Sequence, residues 1–378
     1  MRTAPAWYSQ DMASAGFLAI GSGPAGVSAA ETFRSKHRNI AVGILSDDPA
    51  LPYAKPPLSK QFLCGEPTEL ELHSAGWFER NDIELSLGVR VAHIDTATQQ
   101  VITTGGARYR YWHLVLAVGS TAVPLAVPGG ESALTLRSFA DAVALKMAAR
   151  HAATAVVVGG GLIGCEAASC LAALGVDTTL VAPETVPLQR RFGVDVGERV
   201  VKMLSEAGVH FVGAAQVTAV EDAGVTLDSG EALGGELVVA ATGARPDVRL
   251  AVAAGLVTHE GRVVVDEHMR TSAHNVYAAG DITIAHNVAA GRPVIAEHWR
   301  DAALQGRVAG LTAAGFDSSW DRVPGFSCVV GGFTLTYRGW GGRHDACTVT
   351  ERANGFRAHY SLQGRAIGTL DATANPAS

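Results

Sequence analysis

Two glycine-rich loops hold the residues whose spacing points most directly to chemistry. They are Gly21-Ser22-Gly23-Pro24-Ala25-Gly26 and Gly159-Gly160-Gly161-Leu162-Ile163-Gly164. In such a loop the first glycine makes the turn out of a strand. The second lets the backbone approach a pyrophosphate, and the third lets helix and strand pack closely. The N–H groups of the following helix then face the anion. One loop of this kind also occurs as an ordinary strand–helix turn; two in tandem argue for two dinucleotide sites. Two dinucleotides that meet usually exchange a hydride.

A dinucleotide site needs a partner for its ribose hydroxyls, normally an acid ending the next strand. Behind the first loop this is Asp47, in Ser46-Asp47-Asp48. Behind the second loop the equivalent position is Ala182, in Ala182-Pro183-Glu184. Glu184 either substitutes from the loop or is a solvated turn residue. An acid here favours NADH by repelling a 2′-phosphate. Its absence leaves NADPH open, with Arg190 or Arg191 as phosphate partners.

The elements that position these residues are readable as apolar runs. The strand Phe17–Ile20 precedes a helix from about Pro24 to Lys36, and Pro24 suits a helix start. The strand Ala155–Val158 precedes a helix from about Leu162 to Leu174, which Gly175 stops. Further strands are expected at Ile40–Leu45, Tyr111–Ala117, Asp177–Val181 and Leu237–Ala241. The close of the second domain echoes the close of the first, which fits a duplicated architecture.

Leu51-Pro52-Tyr53-Ala54-Lys55-Pro56-Pro57-Leu58-Ser59-Lys60 resembles the PYxRPPLSK segment of FAD-dependent ferredoxin reductases. These serve cytochrome P450 and ring-hydroxylating oxygenase systems and are related to rubredoxin reductases and apoptosis-inducing factors. Thr242-Gly243-Ala244-Arg245-Pro246, Ala278-Ala279-Gly280-Asp281-Ile282, Glu297-His298-Trp299 and Ala303-Leu304-Gln305-Gly306-Arg307 agree with that family. The resemblance runs from about Gly16 to Asp371. It implies an α/β fold with two Rossmann-like dinucleotide-binding domains, glutathione-reductase-like, plus a small C-terminal α+β domain, read here as an antiparallel sheet with little helix.

The resemblance also implies roles. FAD falls to Gly21, Gly23, Pro24, Ala25, Gly26, Asp47, Lys55, Lys60, Val91, Ala117, Gly119, Gly280, Asp281 and Trp299. Asp281 binds the ribityl chain, with the following helix N-terminus near the flavin. Lys55 stands where the family usually has Arg, so it offers charge without a bidentate fork. NAD(P) falls to Gly159, Gly161, Leu162, Ile163, Gly164, Glu166, Glu184, Gly243 and Glu297. Lys60 is expected near flavin N5, paired with Glu166. That pair would shut the space between the cofactors, yield to nicotinamide, and place positive charge near reduced flavin. An ordinary interdomain salt bridge is the alternative. Relatives read VPxFWS where this chain has Val323-Pro324-Gly325-Phe326-Ser327-Cys328, so Ser327 replaces an aromatic near the flavin edge.

The implied domains are a leader at 1–15, an FAD-binding domain at 16–123 and 247–314, an NAD(P)-binding domain at 124–246 and a C-terminal interface domain at 315–378. The formal net charge is −6 and there is no long basic run, which argues against nucleic acid. No apolar stretch reaches the roughly 18 residues a membrane span needs. Residues Met1 to Ala15 make a poor signal peptide. The five cysteines are Cys64, Cys165, Cys170, Cys328 and Cys347, with no Cys-x-x-Cys and no metal-ligand spacing among them. Cys165 and Cys170 point to different sides of one helix, and reduced thiols in a cytoplasmic protein are expected. Cys165 and Cys170 have the Cys-x4-Cys spacing of the glutathione and lipoamide reductase disulfide but are not expected to bridge, so electrons are expected to leave the flavin another way.

The expected function is an NAD(P)H:ferredoxin reductase, passing electrons from NADH (NADPH possible) through FAD to a ferredoxin-type iron–sulfur protein. An NAD(P)H oxidase or quinone reductase, and an FAD-containing redox-sensing binding protein, are the competing readings. The chain is expected as a monomer or homodimer.

Overall fold

Residues 13–375 are described by the computed structural model. They divide into two units, one built from residues up to 54, 70–120 and 246–324, the other from 55–69, 121–245 and 325 onward. The first twelve residues of the expected leader lie outside the described residues. Its last three, Ala13–Ala15, open the first strand, Ala13–Ile20.

In the first unit five strands run parallel in the order Ile83–Ser86, Val42–Leu45, Ala13–Ile20, Arg108–Leu116 and Val276–Ala278. Gln100–Thr103 and Val91–Asp95 extend the sheet antiparallel. Phe17, Leu18, Ile44, Leu114 and Leu116 are fully buried on it. Each such side chain contributes roughly 1.5–3 kcal/mol of burial. The helix Pro24–Lys36 covers the sheet with Val27, Ala29, Ala30 and Phe33, and Phe33 stacks on Phe17 at 4.6 Å between ring centroids. Its end is closed by Arg34, whose guanidinium donates to the carbonyls of His37 and Arg38 at 3.1 and 2.8 Å.

The second unit repeats this plan. Its parallel sheet runs Val209–Val212, Asp177–Val181, Thr154–Val158, Leu237–Ala240 and Leu134–Thr135. The helix Leu162–Ala173 is buried along Gly164–Leu171, and Gly175, at φ +87°, ends it. The duplication reaches individual hydrogen bonds. Gly21 N–H donates to the Leu45 carbonyl and Gly159 N–H to the Val181 carbonyl, both at 2.8 Å. Ala117 N–H donates to Ile20 and Ala241 N–H to Val158, again at 2.8 Å.

From Gly325 the chain forms a five-stranded antiparallel sheet ordered Gly325–Val330, Phe333–Gly339, Arg365–Ala374, Gly355–Leu362, Ala346–Arg352. No helix occurs in this stretch among the described residues. No helix of the described residues is long and apolar enough to cross a membrane.

Candidate functional site

In both loops the first glycine has a backbone that L side chains rarely adopt, Gly21 at φ +106° and Gly159 at φ +117°. A Cβ on Gly26 would collide with the carbonyl of Gly21, and one on Gly164 with that of Gly159. The second glycines differ in kind. A Cβ on Gly23 or Gly161 would meet nothing within 4 Å, and neither helix is capped by a side chain there. Each loop therefore leaves open space over the first-turn N–H groups, as a pyrophosphate cradle requires. Pro24 and Ala25 open the first helix, and Leu162 and Ile163 the second.

Around the first cradle, Asp47 and Asp48 part company. Asp48 is used internally: its carboxylate accepts from Ala50 N–H at 2.9 Å and from the Tyr53 hydroxyl at 2.8 Å. The Asp47 side chain is 61% exposed and forms an ion pair with the exposed Arg90 guanidinium at 3.3 Å. Val91 follows Arg90 as the buried first residue of its strand. The Ala117 carbonyl lies against Gly21, and Gly119 turns at φ +68° with open space beside it.

Gly280, at φ +86°, donates its N–H to Oε1 of fully buried Gln305 at 2.8 Å. Ser120 donates its hydroxyl to the Asp281 carboxylate at 3.1 Å. The chain after Asp281 differs from expectation. It runs into the strands Thr283–Asn287 and Arg292–Val294, and the next helix starts only at Trp299. The Arg262 guanidinium ties that hairpin back, donating to the Asp281 carbonyl and to the Glu297 carboxylate. Glu297 is therefore already engaged by a cation within the first unit. The helix Trp299–Ala313 meets Pro24–Lys36 at backbone distance, because Gly306 and Gly310 lie on Ala25 and Ala29. The Trp299 indole N–H is buried with no hydrogen-bond partner. An orphaned donor on the helix that packs against the first cradle fits a ligand acceptor there.

At the second cradle Ala182 is fully buried. Its methyl faces the Cβ position of Gly160, and its N–H donates to Val212 at 3.0 Å. Glu184 forms an ion pair with Arg190, and Arg191 lies over the Phe326 ring, 4.9 Å from its centroid. So the acid next to the missing ribose carboxylate holds one of the two candidate phosphate cations. Glu184→Ala should free Arg190 and shift the kcat/KM ratio toward NADPH by about tenfold, about 1.4 kcal/mol. Steady-state kinetics with both nucleotides checks it; an unchanged ratio would remove Glu184 from nucleotide selection. Gly243, at φ +116°, accepts from Val123 N–H at 2.9 Å.

Lys60 and Glu166 meet within the second unit. Lys60 Nζ lies 2.9 Å from Glu166 Oε1, and Nζ also donates to the Pro56 carbonyl at 3.2 Å. Glu166, only 4% exposed, accepts from two more donors. These are the Ser59 hydroxyl at 2.5 Å and Val329 N–H at 3.1 Å. Lys55 Nζ points to the Arg137 carbonyl at 3.4 Å. Ser59, Ser120, Val329, Arg262 and Gln305 were not singled out by sequence reading. Ser59 and Gln305 lie inside recognised segments, which is the only signal they give.

The cysteines require a correction. They are not all free: Cys64 and Cys170 form a disulfide, with Cα atoms 5.0 Å apart. Cys165 and Cys170 are neighbours on one helix, whereas this bridge spans a sequence separation of 106. Cys165, Cys328 and Cys347 are free. Burial first, and Glu166 second, pushes the Cys165 and Cys328 thiols up. No group of His, Cys, Asp and Glu suited to a metal occurs among the described residues.

Residues 17–306 match the family described as pyridine nucleotide-disulphide oxidoreductase. The chain is similar to rubredoxin-NAD(+) reductase of Pseudomonas putida, 33% identical over 84% of this chain and 84% of that protein. It is similar to the anthranilate 1,2-dioxygenase system ferredoxin–NAD(+) reductase component of Burkholderia cepacia, 33% identical over 82% of this chain and 78% of that one. Among solved structures, the ferredoxin reductase for the CYP199A2 system from Rhodopseudomonas palustris superposes with a TM-score of 0.89 at 28% identity, covering 94% of this chain and 91% of that one.

Proposed function

Because this chain belongs to the pyridine nucleotide-disulphide oxidoreductase family and is an NAD(P)H-dependent flavoprotein oxidoreductase using FAD and NADH, we propose that it is a cytoplasmic reductase for a ferredoxin-type iron–sulfur protein of a P450 or ring-hydroxylating oxygenase system. The observation that carries this reading is the pair of duplicated cradles, each open at its second glycine. When bound, FAD supplies the conversion between a two-electron donor and a one-electron acceptor.

The residues divide the work. Gly21 to Gly26 hold the FAD pyrophosphate on the N-terminus of Pro24–Lys36. Asp47 takes the adenosine ribose, with Asp48 bound in its own turn. Asp281, fixed by Ser120, would bind the ribityl chain. Gly159 to Gly164 hold the nicotinamide nucleotide's pyrophosphate, and Glu184 its ribose. Lys60, anchored by Glu166 and the Pro56 carbonyl, would supply a fixed positive charge for flavin reduction. A charge held this way needs no reorganisation when negative charge develops.

The purified protein should be yellow, with one FAD per chain released by denaturation. NADH consumption is then measured with oxygen alone, with ferricyanide and with ferredoxins. Fast turnover that requires an iron–sulfur protein is expected. High oxygen turnover would favour an oxidase, and a folded, colourless protein that takes up no FAD would sink the reading.

A further inference from the structure

We propose that the Cys64–Cys170 disulfide is a thiol–disulfide exchange site, taking a low-molecular-weight thiol or dithiol, whose state sets how firmly Lys60 is held by Glu166. Cys64 lies four positions after Lys60 on one segment, and Cys170 four positions after Glu166 along the helix Leu162–Ala173. On a helix that spacing puts Glu166 and Cys170 on one face. The segment 55–69 is thus joined to this helix by two successive rungs, one ionic and one covalent. The rungs share backbone: Cys64 N–H donates to the Lys60 carbonyl at 2.9 Å. The same carbonyl lies 3.3 Å from Cys170 Sγ, and that of Ser59 3.5 Å from it.

The two sulfurs are unequally accessible. Cys170 is 5% exposed, whereas Cys64 is partly exposed and is followed by exposed Gly65 and Glu66. An incoming thiolate therefore reaches Cys64 Sγ. Its sulfur bonds to Cys64, the Cys64–Cys170 bond breaks, and Cys170 leaves as a thiolate that takes up a proton. A second thiol attacks the mixed disulfide, releasing Cys64 as a thiol and the reagent as its own disulfide. The protein gains two electrons and two protons, and two reagent thiols are oxidised. A chain with 48% hydrophobic residues has cores large enough to fold without a staple. A bridge that can open is then better placed to regulate than to support, as cytosolic disulfides usually are. Once it opens, segment 55–69 keeps only non-covalent ties, among them Lys60–Glu166, Ser59–Glu166 and Lys146 Nζ to the Phe62 carbonyl at 2.8 Å.

The test uses the full FAD-loaded protein, treated with oxidised glutathione or with dithiothreitol that is then removed. Alkylation under denaturing conditions should find three thiols in the first sample and five in the second. Five in both would overturn the bridge. Amide exchange at Phe62, Cys64 and Glu66 should quicken about tenfold on reduction, since their hydrogen bonds close this segment. Identical exchange would overturn the rung. The effect on flavin reduction rests on the functional reading above: reduction by NADH should slow about threefold, as loosened positioning predicts. Cys64→Ser/Cys170→Ser should match the thiol-treated protein and ignore further dithiothreitol. Changed amide exchange with an unchanged rate would overturn the coupling to Lys60 alone. A protein that binds no FAD in either state would instead count against the functional reading.

Discussion

Lys60→Ala is expected to slow reduction of bound FAD by NADH about 100-fold, since removing one fixed charge from an electrostatic site typically costs about 10²–10³ in rate. Lys60 is a held cation with two defined acceptors, Glu166 and the Pro56 carbonyl. Truncation removes that charge but leaves Glu166 with the Ser59 hydroxyl and Val329 N–H. The cradle at Gly21–Gly26 and the Gly280–Asp281 turn, proposed to hold FAD, use other residues, so FAD should stay bound. Stopped-flow reduction, with FAD content from the visible spectrum, separates the two effects. A wild-type rate would take Lys60 out of the reaction. Loss of FAD without a slower rate in the retained fraction would make it a binding residue only.

Glu166→Ala should destabilise the protein by about 3–5 kcal/mol, the usual cost of breaking a buried ion pair from one side. It strands the Ser59 hydroxyl and Val329 N–H and leaves the Lys60 ammonium only the Pro56 carbonyl. Glu166→Gln keeps an acceptor oxygen for the neutral donors and loses only the charge. It should cost less, about 1–3 kcal/mol. Urea unfolding of both variants, with the disulfide intact, decides the order. A neutral alanine variant, or a glutamine variant as damaging as alanine, would show that this carboxylate does not hold the segment 55–69.

Much of the fold was legible because its signals are local. The helix Pro24–Lys36 has the predicted ends, since Pro24 marks the start and basic residues the last turn. The strand Asp177–Val181 also has the predicted bounds, from a β-branched run between turns. Three of the five C-terminal strands were visible as short alternating segments, at Phe333–Tyr337, Ala346–Thr350 and Phe356–Tyr360, whereas the first, Gly325–Val330, and the last, Arg365–Ala374, were not. The hairpin after Asp281 was missed because the family expectation of a nearby helix start overrode the alternating Thr283–Asn287 run.

By itself, the sequence determined the two cradles. A glycine is demanded where φ is positive at Gly21 and Gly159, and where the backbones of Gly26 and Gly164 touch the turn, and these demands are written at fixed spacing. Tertiary structure alone decided what surrounds them. Ala182 reads as a missing ribose acid, but only packing shows its methyl buried on Gly160, leaving Glu184 and its hold on Arg190. Arg262 and Val329 give no signal in the chain because their partners, Asp281, Glu297 and Glu166, are distant in sequence. Cys64 and Cys170 were read as separate thiols for the same reason. Periodicity and spacing report on neighbours a few residues apart, whereas a disulfide or a buried carboxylate's third donor depends on which distant segments the fold brings within bonding distance.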